Sequence, residues 1–304
     1  METMIKKRIA VVVGGTDGIG REIAFNLALS WCQVVIIGRD IEKAVKVQRE
    51  IQEQTKNRDI DFLCANLSSM KETDRLCSLI INRYPQIHYL VLSAGTILHR
   101  HEITAEGVEK NFAINYLSRF LILQRMLPTL ERSGTRTFSS RILVINGAIT
   151  NGKIYYNDVN LTHNFTIARF VSQQCRANDL LVLELAERIA RSGQKGVTVN
   201  SYKLGVVKTN IRKNFPWWMY LVVVLILDPI IGMSPAEATQ PALHLLLANE
   251  YEGITGGLFK MVRTFRRINT PTSTCSSIEQ QRIWDLSGNM ISKIIKGHDY
   301  VDAN

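Results

Sequence analysis

The sequence predicts an α/β protein built on one doubly wound parallel sheet. Three observations carry this: short apolar runs alternate with amphipathic stretches, turn residues separate them, and a glycine-rich turn joins the first run to the first amphipathic stretch. At 304 residues, 46% hydrophobic and 21% charged, the chain can bury a sizeable core as one domain over residues 1–304. Two segments stand apart within it, an apolar one at 212–235 and a polar connection with a terminal helix at 268–304.

Taken in order, Ile9 to Val13 is an unbroken apolar run, read as a buried strand, and Arg21 to Leu29 follows as a helix. The alternation repeats with a strand at Gln33 to Ile37 and a helix at Ile41 to Thr55, then a strand at Ile60 to Cys64 and a helix at Met70 to Tyr84. Tyr89 to Ser93, Ile142 to Ile145 and Val197 to Tyr202 complete six strands, with helices over Val108 to Arg132 and Phe170 to Ser192 between them. A sheet of this kind receives its ligand outside the carboxyl ends of its strands. Past the polar stretch Asn269 to Thr274, Ser276 and Glu279 have capping-box spacing, and Ile283, Leu286, Met290 and Ile294 recur at helical spacing. That pattern predicts a terminal helix docked on the core.

Composition narrows the partners. A net charge of +10 and an isoelectric point near 9.4 suit an anionic cofactor, and by themselves they also permit nucleic acid or an anionic membrane. No basic run exceeds three residues, and there is neither zinc-ligand spacing nor aromatic-basic interleaving, so neither nucleic acid nor a metal is expected. The five cysteines include no CxxC pair and are odd in number, which favours a reducing compartment. No small-residue cleavage site precedes the first strand, so a cytoplasmic location is expected. Trp217 to Leu227 is uncharged for eleven residues before Asp228-Pro229 interrupts it. Spanning a bilayer takes about 20.

The motif that points to chemistry is the turn Gly14-Gly15-Thr16-Asp17-Gly18-Ile19-Gly20. Its first glycine permits a tight turn, the middle one lets backbone approach a pyrophosphate, and the last lets helix pack on strand. The helix N-terminus then offers its dipole and free N–H groups to phosphate. Arg39 follows the second strand, where an acid would bind the ribose of NAD; a guanidinium there clasps a 2′-phosphate instead. NADP(H) is therefore the expected cofactor, the other reading of Arg39 being a surface residue capping the next helix.

With these motifs in place, the chain resembles the short-chain dehydrogenases/reductases, and among them the retinol-dehydrogenase-like and related fungal oxidoreductase branch. The resemblance runs through the glycine loop, Asn66-Leu67, Ser93-Ala94-Gly95, Glu109 to Leu117, Gly152-Lys153-Ile154, Gly205 to Thr209 and Ser234-Pro235-Ala236-Glu237. It implies a Rossmann-type fold with Asn66 by the adenine, Ala94, Gly95 and Val207 lining the cofactor, Asn115 as the active-site asparagine and Thr209 near the nicotinamide amide. The family usually has Asp where Asn66 stands, Asn at Ser93 and Pro at Leu204.

The resemblance also locates what is missing. Counting from Leu183-Glu184-Leu185-Ala186, the family's serine, tyrosine and lysine positions fall at Gly147, Val171 and Cys175. No lysine occurs between Lys153 and Lys195, so no shift of register restores the Tyr-x-x-x-Lys pair. A tyrosine with a pKa near 10 needs such help to act as a base, and losing one general acid or base typically lowers a rate about 10² to 10⁴-fold. Substitutes are weighed against plainer roles: Tyr155 and Tyr156 as loop packing, Lys203 as an electrostatic stand-in at the end of the sixth strand, His163 as a solvated histidine, Cys175 as a small core residue.

The apolar run sits where the family carries its substrate lid, and it reads as a lid, a buried helix or a peripheral contact with an internal membrane's cytosolic face flanked by Arg212 and Lys213. An apolar small-molecule substrate and a homo-oligomer are consistent with it. Three functions stay open: an NADP(H)-dependent oxidoreductase with an atypical site acting on a lipophilic, secondary-metabolite or lipid-like carbonyl, alcohol or unsaturated substrate, a non-redox isomerase or cyclase on the same fold, and a catalytically dead NADP(H)-binding pseudoenzyme.

Overall fold

The computed structural model describes residues 7–135, 137–193, 196–205, 207, 232–261, 265–267 and 275–296. Among these, the strands are β1 (Ile9–Val13), β2 (Gln33–Gly38), β3 (Ile60–Cys64), β4 (Tyr89–Leu92), β5 (Ser140–Gly147), β6 (Val197–Leu204), β7 (Gly257–Met261) and β8 (Phe265–Arg267). They form one sheet in the order β3-β2-β1-β4-β5-β6-β7-β8, parallel except for β8. The doubly wound parallel sheet expected from the sequence is present, extended by β7 and β8.

The helices are α1 (Gly18–Leu29), α2 (Ile41–Thr55), α3 (Met70–Arg83), α4 (Ser118–Ser133), α5 (Ile167–Arg191), α6 (Pro235–Leu247) and α7 (Ser277–Lys296). The helix expected from Val108 is not uniform: a turn at Lys110–Phe112 widens into a π-helical segment, Ala113–Leu117, before α4 begins. Caps fix several starts. Asp40 accepts from the Lys43 N–H at 3.0 Å, Thr166 from Arg169 at 3.2 Å, and Ser234 with Glu237 forms a full capping box ahead of Pro235.

Both faces of the sheet are apolar, as a parallel sheet under two helical layers requires. Along β1, Ala10 and Val12 face the core shared with α1, α2 and α6, while Ile9, Val11 and Val13 face the core shared with α3, α4, α5 and α7. The terminal helix docks as expected. Trp284 stands edge-on to Phe120 with ring centroids 5.0 Å apart, the Arg188 guanidinium covers the indole at 4.2 Å, and the buried Tyr116 hydroxyl bonds Ser287 at 2.8 Å. The expected capping box is half made, because Ser276 accepts from the Glu279 N–H while the Glu279 carboxylate accepts from the Tyr156 hydroxyl at 2.9 Å.

No helix among the described residues is long and apolar enough to cross a membrane. The apolar run at 217–227, its flanking Arg212 and Lys213, and Thr209 lie outside the described residues. Because Phe120 is fully buried and anchors Trp284, Phe120→Ala should lower stability by about 3–5 kcal/mol in urea unfolding and loosen α7. A change below about 1 kcal/mol would remove this contact from the account.

Candidate functional site

Strand order reverses between β1 and β4, and the crevice outside their carboxyl ends is where the glycine loop lies. Gly14 has φ +84°, and a Cβ there would stand 2.5 Å from the Ala94 nitrogen. A Cβ on Gly20 would stand 2.2 Å from the Gly14 carbonyl oxygen. Only glycine lets α1 settle this low on the strand ends. The Gly14 and Gly15 N–H groups donate to the Ile37 carbonyl at 2.9 and 3.1 Å, Gly18 has φ +50°, and Ile19 is buried beneath. Asp17 caps α1 through the Gly18 N–H at 2.8 Å and forms an ion pair with Lys43. The pairing offsets a negative charge that would oppose phosphate at this helix N-terminus.

Gly38 matters in the same way, since a Cβ there would meet the Thr16 methyl at 2.6 Å. Thr16 thereby lies over the end of β2, and Arg39 follows, exposed, with no ion-pair partner among the described residues. Its neighbour Asp40 is occupied in capping α2. Asn66 is exposed beyond β3; its side-chain Oδ1 accepts from the Ser68 N–H at 3.1 Å and hydroxyl at 2.8 Å, and it lines a cleft of about 480 Å³ with Ser68, Glu102, Thr104 and Lys110.

On the other side of the crevice, Asn115 staples the loop after β4 to the π-helical segment. Its Oδ1 accepts from the Thr96 N–H at 3.0 Å, and its Nδ2 donates to the Thr96 and Asn111 carbonyls at 2.9 and 2.7 Å. A Cβ on Gly95 would come within 2.9 Å of that Oδ1. The Asn115 main-chain carbonyl is capped by Asn178 Nδ2 at 3.0 Å. Sequence reasoning missed Arg119, one helical turn beyond Asn115. Its guanidinium donates to the Ala94 and Ile145 carbonyls, each at 2.7 Å, and to Asn178 Oδ1 at 3.2 Å. Burial lowers its pKa to about 10. The available signal was a lone arginine within the apolar stretch Phe112 to Leu123.

Gly147 and Cys175 meet: a Cβ on Gly147 would lie 2.6 Å from the Cys175 sulfur, so the thiol fills the space a serine would need. Burial pushes the thiol pKa up despite nearby Lys203, which leaves Cys175 a neutral packing group. Val171 is half-buried on α5.

Lys203, considered as a cation presented to the pocket, is instead fully buried. Its ammonium donates to Asp179 Oδ2 at 2.6 Å and to the Ile149 carbonyl at 2.7 Å, so its charge is held within the fold by that pairing. Asn146 Nδ2 completes the network by donating to Asp179 Oδ1 at 2.9 Å and the Cys175 carbonyl at 3.0 Å. Burial raises the Asp179 pKa to about 6 against the pull of Lys203.

Tyr155 stacks beneath the Arg169 guanidinium at 3.8 Å, whereas Tyr156 is tied to Glu279 and the terminal helix. His163 is exposed, its ring 3.6 Å from Asp158. Val207 is buried and bridges to Met233. The structure thus gathers Gly147, Cys175, Asn115 and Lys203 at the ends of β4, β5 and β6, and gives Tyr155, Tyr156 and His163 partners of their own.

Removing one member of the Lys203–Asp179 pair strands a buried charge. Asp179→Asn should therefore cost about 3–5 kcal/mol, and adding Lys203→Met should return most of it. Chemical denaturation of the single and double variants checks this; additive losses would show that the two groups do not act as a pair.

Comparison with known proteins follows the same outline. Residues 8–153 match the family model for short chain dehydrogenases. Human polyprenol dehydrogenase is 28% identical over 287 residues, 93% of this chain and 84% of that protein. Human retinol dehydrogenase 13 is 26% identical over 292 residues, 94% of this chain and 85% of that protein. Among solved structures, the Pseudomonas aeruginosa RhlG/NADP active-site complex superposes with a TM-score of 0.67 at 23% identity, over 84% of this chain and 95% of that one.

Proposed function

Because the chain belongs to the short-chain dehydrogenase/reductase superfamily, in its retinol-dehydrogenase-like branch, we propose that it is an NADP(H)-dependent oxidoreductase acting on a lipophilic carbonyl or alcohol with an atypical active site. The observation that carries the cofactor choice is Arg39, exposed at the end of β2 without a carboxylate partner among the described residues. The loop fits a dinucleotide: Gly14 and Gly20 have no room for a Cβ, and the first turn of α1 presents its N–H groups to the crevice.

In this reading Gly14, Thr16, Gly18, Ile19 and Gly20 hold the pyrophosphate, with Asp17 capping their helix. Arg39 takes the 2′-phosphate and Asn66 the adenine. Ala94, Gly95, Asn115, Val207 and Thr209 line the nicotinamide half. The nicotinamide supplies or accepts hydride when bound. The proton comes from water or from the substrate itself, since Gly147, Val171 and Cys175 carry no group that titrates usefully there. The substrate class rests on relatives whose names specify a polyprenol and a retinol, both long apolar alcohols, and on the apolar run at 217–227, read as a lid with a secondary membrane contact.

A second reading, an NADP(H)-binding protein without turnover, draws on a specific observation. The Gly147–Cys175 contact and the Asp179–Lys203 network fill the region where proton transfer would otherwise be organised. Cofactor binding and turnover measured together separate the readings. The purified protein should bind NADPH about tenfold or more tightly than NADH, from one charge-assisted phosphate contact, and Arg39→Asp should erase the preference. Slow NADPH oxidation with a long-chain aldehyde supports the oxidoreductase; product without oxidation supports an isomerase or cyclase; binding without product supports the second reading. Equal affinity for NADPH and NADH would refute the role given to Arg39.

A further inference from the structure

Arg119 is a cation buried among neutral acceptors. Its residue is only 6% exposed, its donors go to two backbone carbonyls and a side-chain amide, and its Nε–H has no acceptor among the described residues. Among the described residues no carboxylate pairs with it. Arg141 and Lys203 are similarly buried, yet each meets a carboxylate, Glu252 at 2.7 Å and Asp179 at 2.6 Å. An uncompensated guanidinium is expensive to bury. Its field also reaches far, because little water or counter-charge screens it.

The place it occupies gives that field a target. Ala94 and Ile145, the carbonyls it grips, lie at the carboxyl ends of β4 and β5, and its Nη2 is 3.8 Å from where a Gly95 Cβ would project. This is the half of the crevice opposite β2 and Arg39, hence the half left for the nicotinamide. The nearby Lys203 charge is cancelled by Asp179, and Cys175 stays a neutral thiol. Arg176, also buried on α5, donates to the Gly152 carbonyl at 2.9 Å and to the Cys275 sulfur at 2.7 Å, so the guanidinium set against the Ala94–Gly95 loop itself is that of Arg119 on α4.

We infer that Arg119 is a positioning residue that locks the β4–β5 floor of the cofactor site and makes it positive, so that the site favours the neutral reduced nicotinamide over the cationic oxidised one. The inference rests on the NADP(H) reading above. It distinguishes Arg119 from a structural clamp, which would hold both redox forms alike.

The test is the ratio of dissociation constants for NADP+ and NADPH, measured by calorimetry on the full chain for the wild type, Arg119→Lys, Arg119→Gln and Cys175→Asp. The wild type should bind NADPH about threefold or more tightly than NADP+. Arg119→Lys should keep that ratio. Arg119→Gln should reduce it about threefold or more, and Cys175→Asp should do the same by placing a counter-charge on a neighbouring helix without touching the clamp. An unchanged ratio in Cys175→Asp, or in a folded Arg119→Gln, overturns the inference, as does equal affinity of the wild type for the two forms whether or not the variants fold. Failure to bind either form overturns the cofactor reading and this inference with it.

Discussion

Everything at the candidate site depends on two backbone contacts that only glycine permits, Gly14 against Ala94 and Gly20 against the Gly14 carbonyl. They set how low α1 sits on the sheet, and so where its N-terminal N–H groups point. Thr16 can then lie over the bare end of β2 and Arg39 can turn outward. On the opposite wall, the same closeness presses the loop to Ala94-Gly95, which Asn115 and Arg119 hold from behind.

Beneath that crevice, β4, β5 and β6 each end in a polar clamp: Arg119 across β4 and β5, Asn146 from β5 to α5, and Lys203 from β6 to α5. Here the Cys175 sulfur occupies the place of a Gly147 side chain, and Asp179 with Lys203 fills the space behind with a satisfied ion pair. Buried ion pairs seldom add much net stability, so this one is better understood as fixing the register of β6 against α5.

The fold was legible wherever apolar periodicity and turn chemistry agreed. β1, β3 and α2 match their expected bounds because each is flanked by a residue that stops it, such as Asp40 at the start of α2. β7 and β8 escaped notice because five and three residues carry too little pattern against a glycine-rich background. α6 could have been found, since Ser234, Pro235 and Glu237 spell a capping box. The π-helical segment around Asn115 has no sequence signal of its own. At the site, the glycines and Arg39 could be read because their roles are local in sequence, whereas the Lys203–Asp179 and Arg119–Ala94 partnerships join residues 24 and 25 positions apart and emerge only from strand order.

The glycine contact is the most direct place to test this account. Gly14→Ala adds one methyl group at a positive φ and against the Ala94 backbone, so circular dichroism should report an intact sheet while NADPH titration reports binding weakened about tenfold or more, the loop shifting to relieve about 1–3 kcal/mol of strain. A folded Gly14→Ala protein that binds NADPH as tightly as the wild type would contradict the claim that this contact shapes a dinucleotide site.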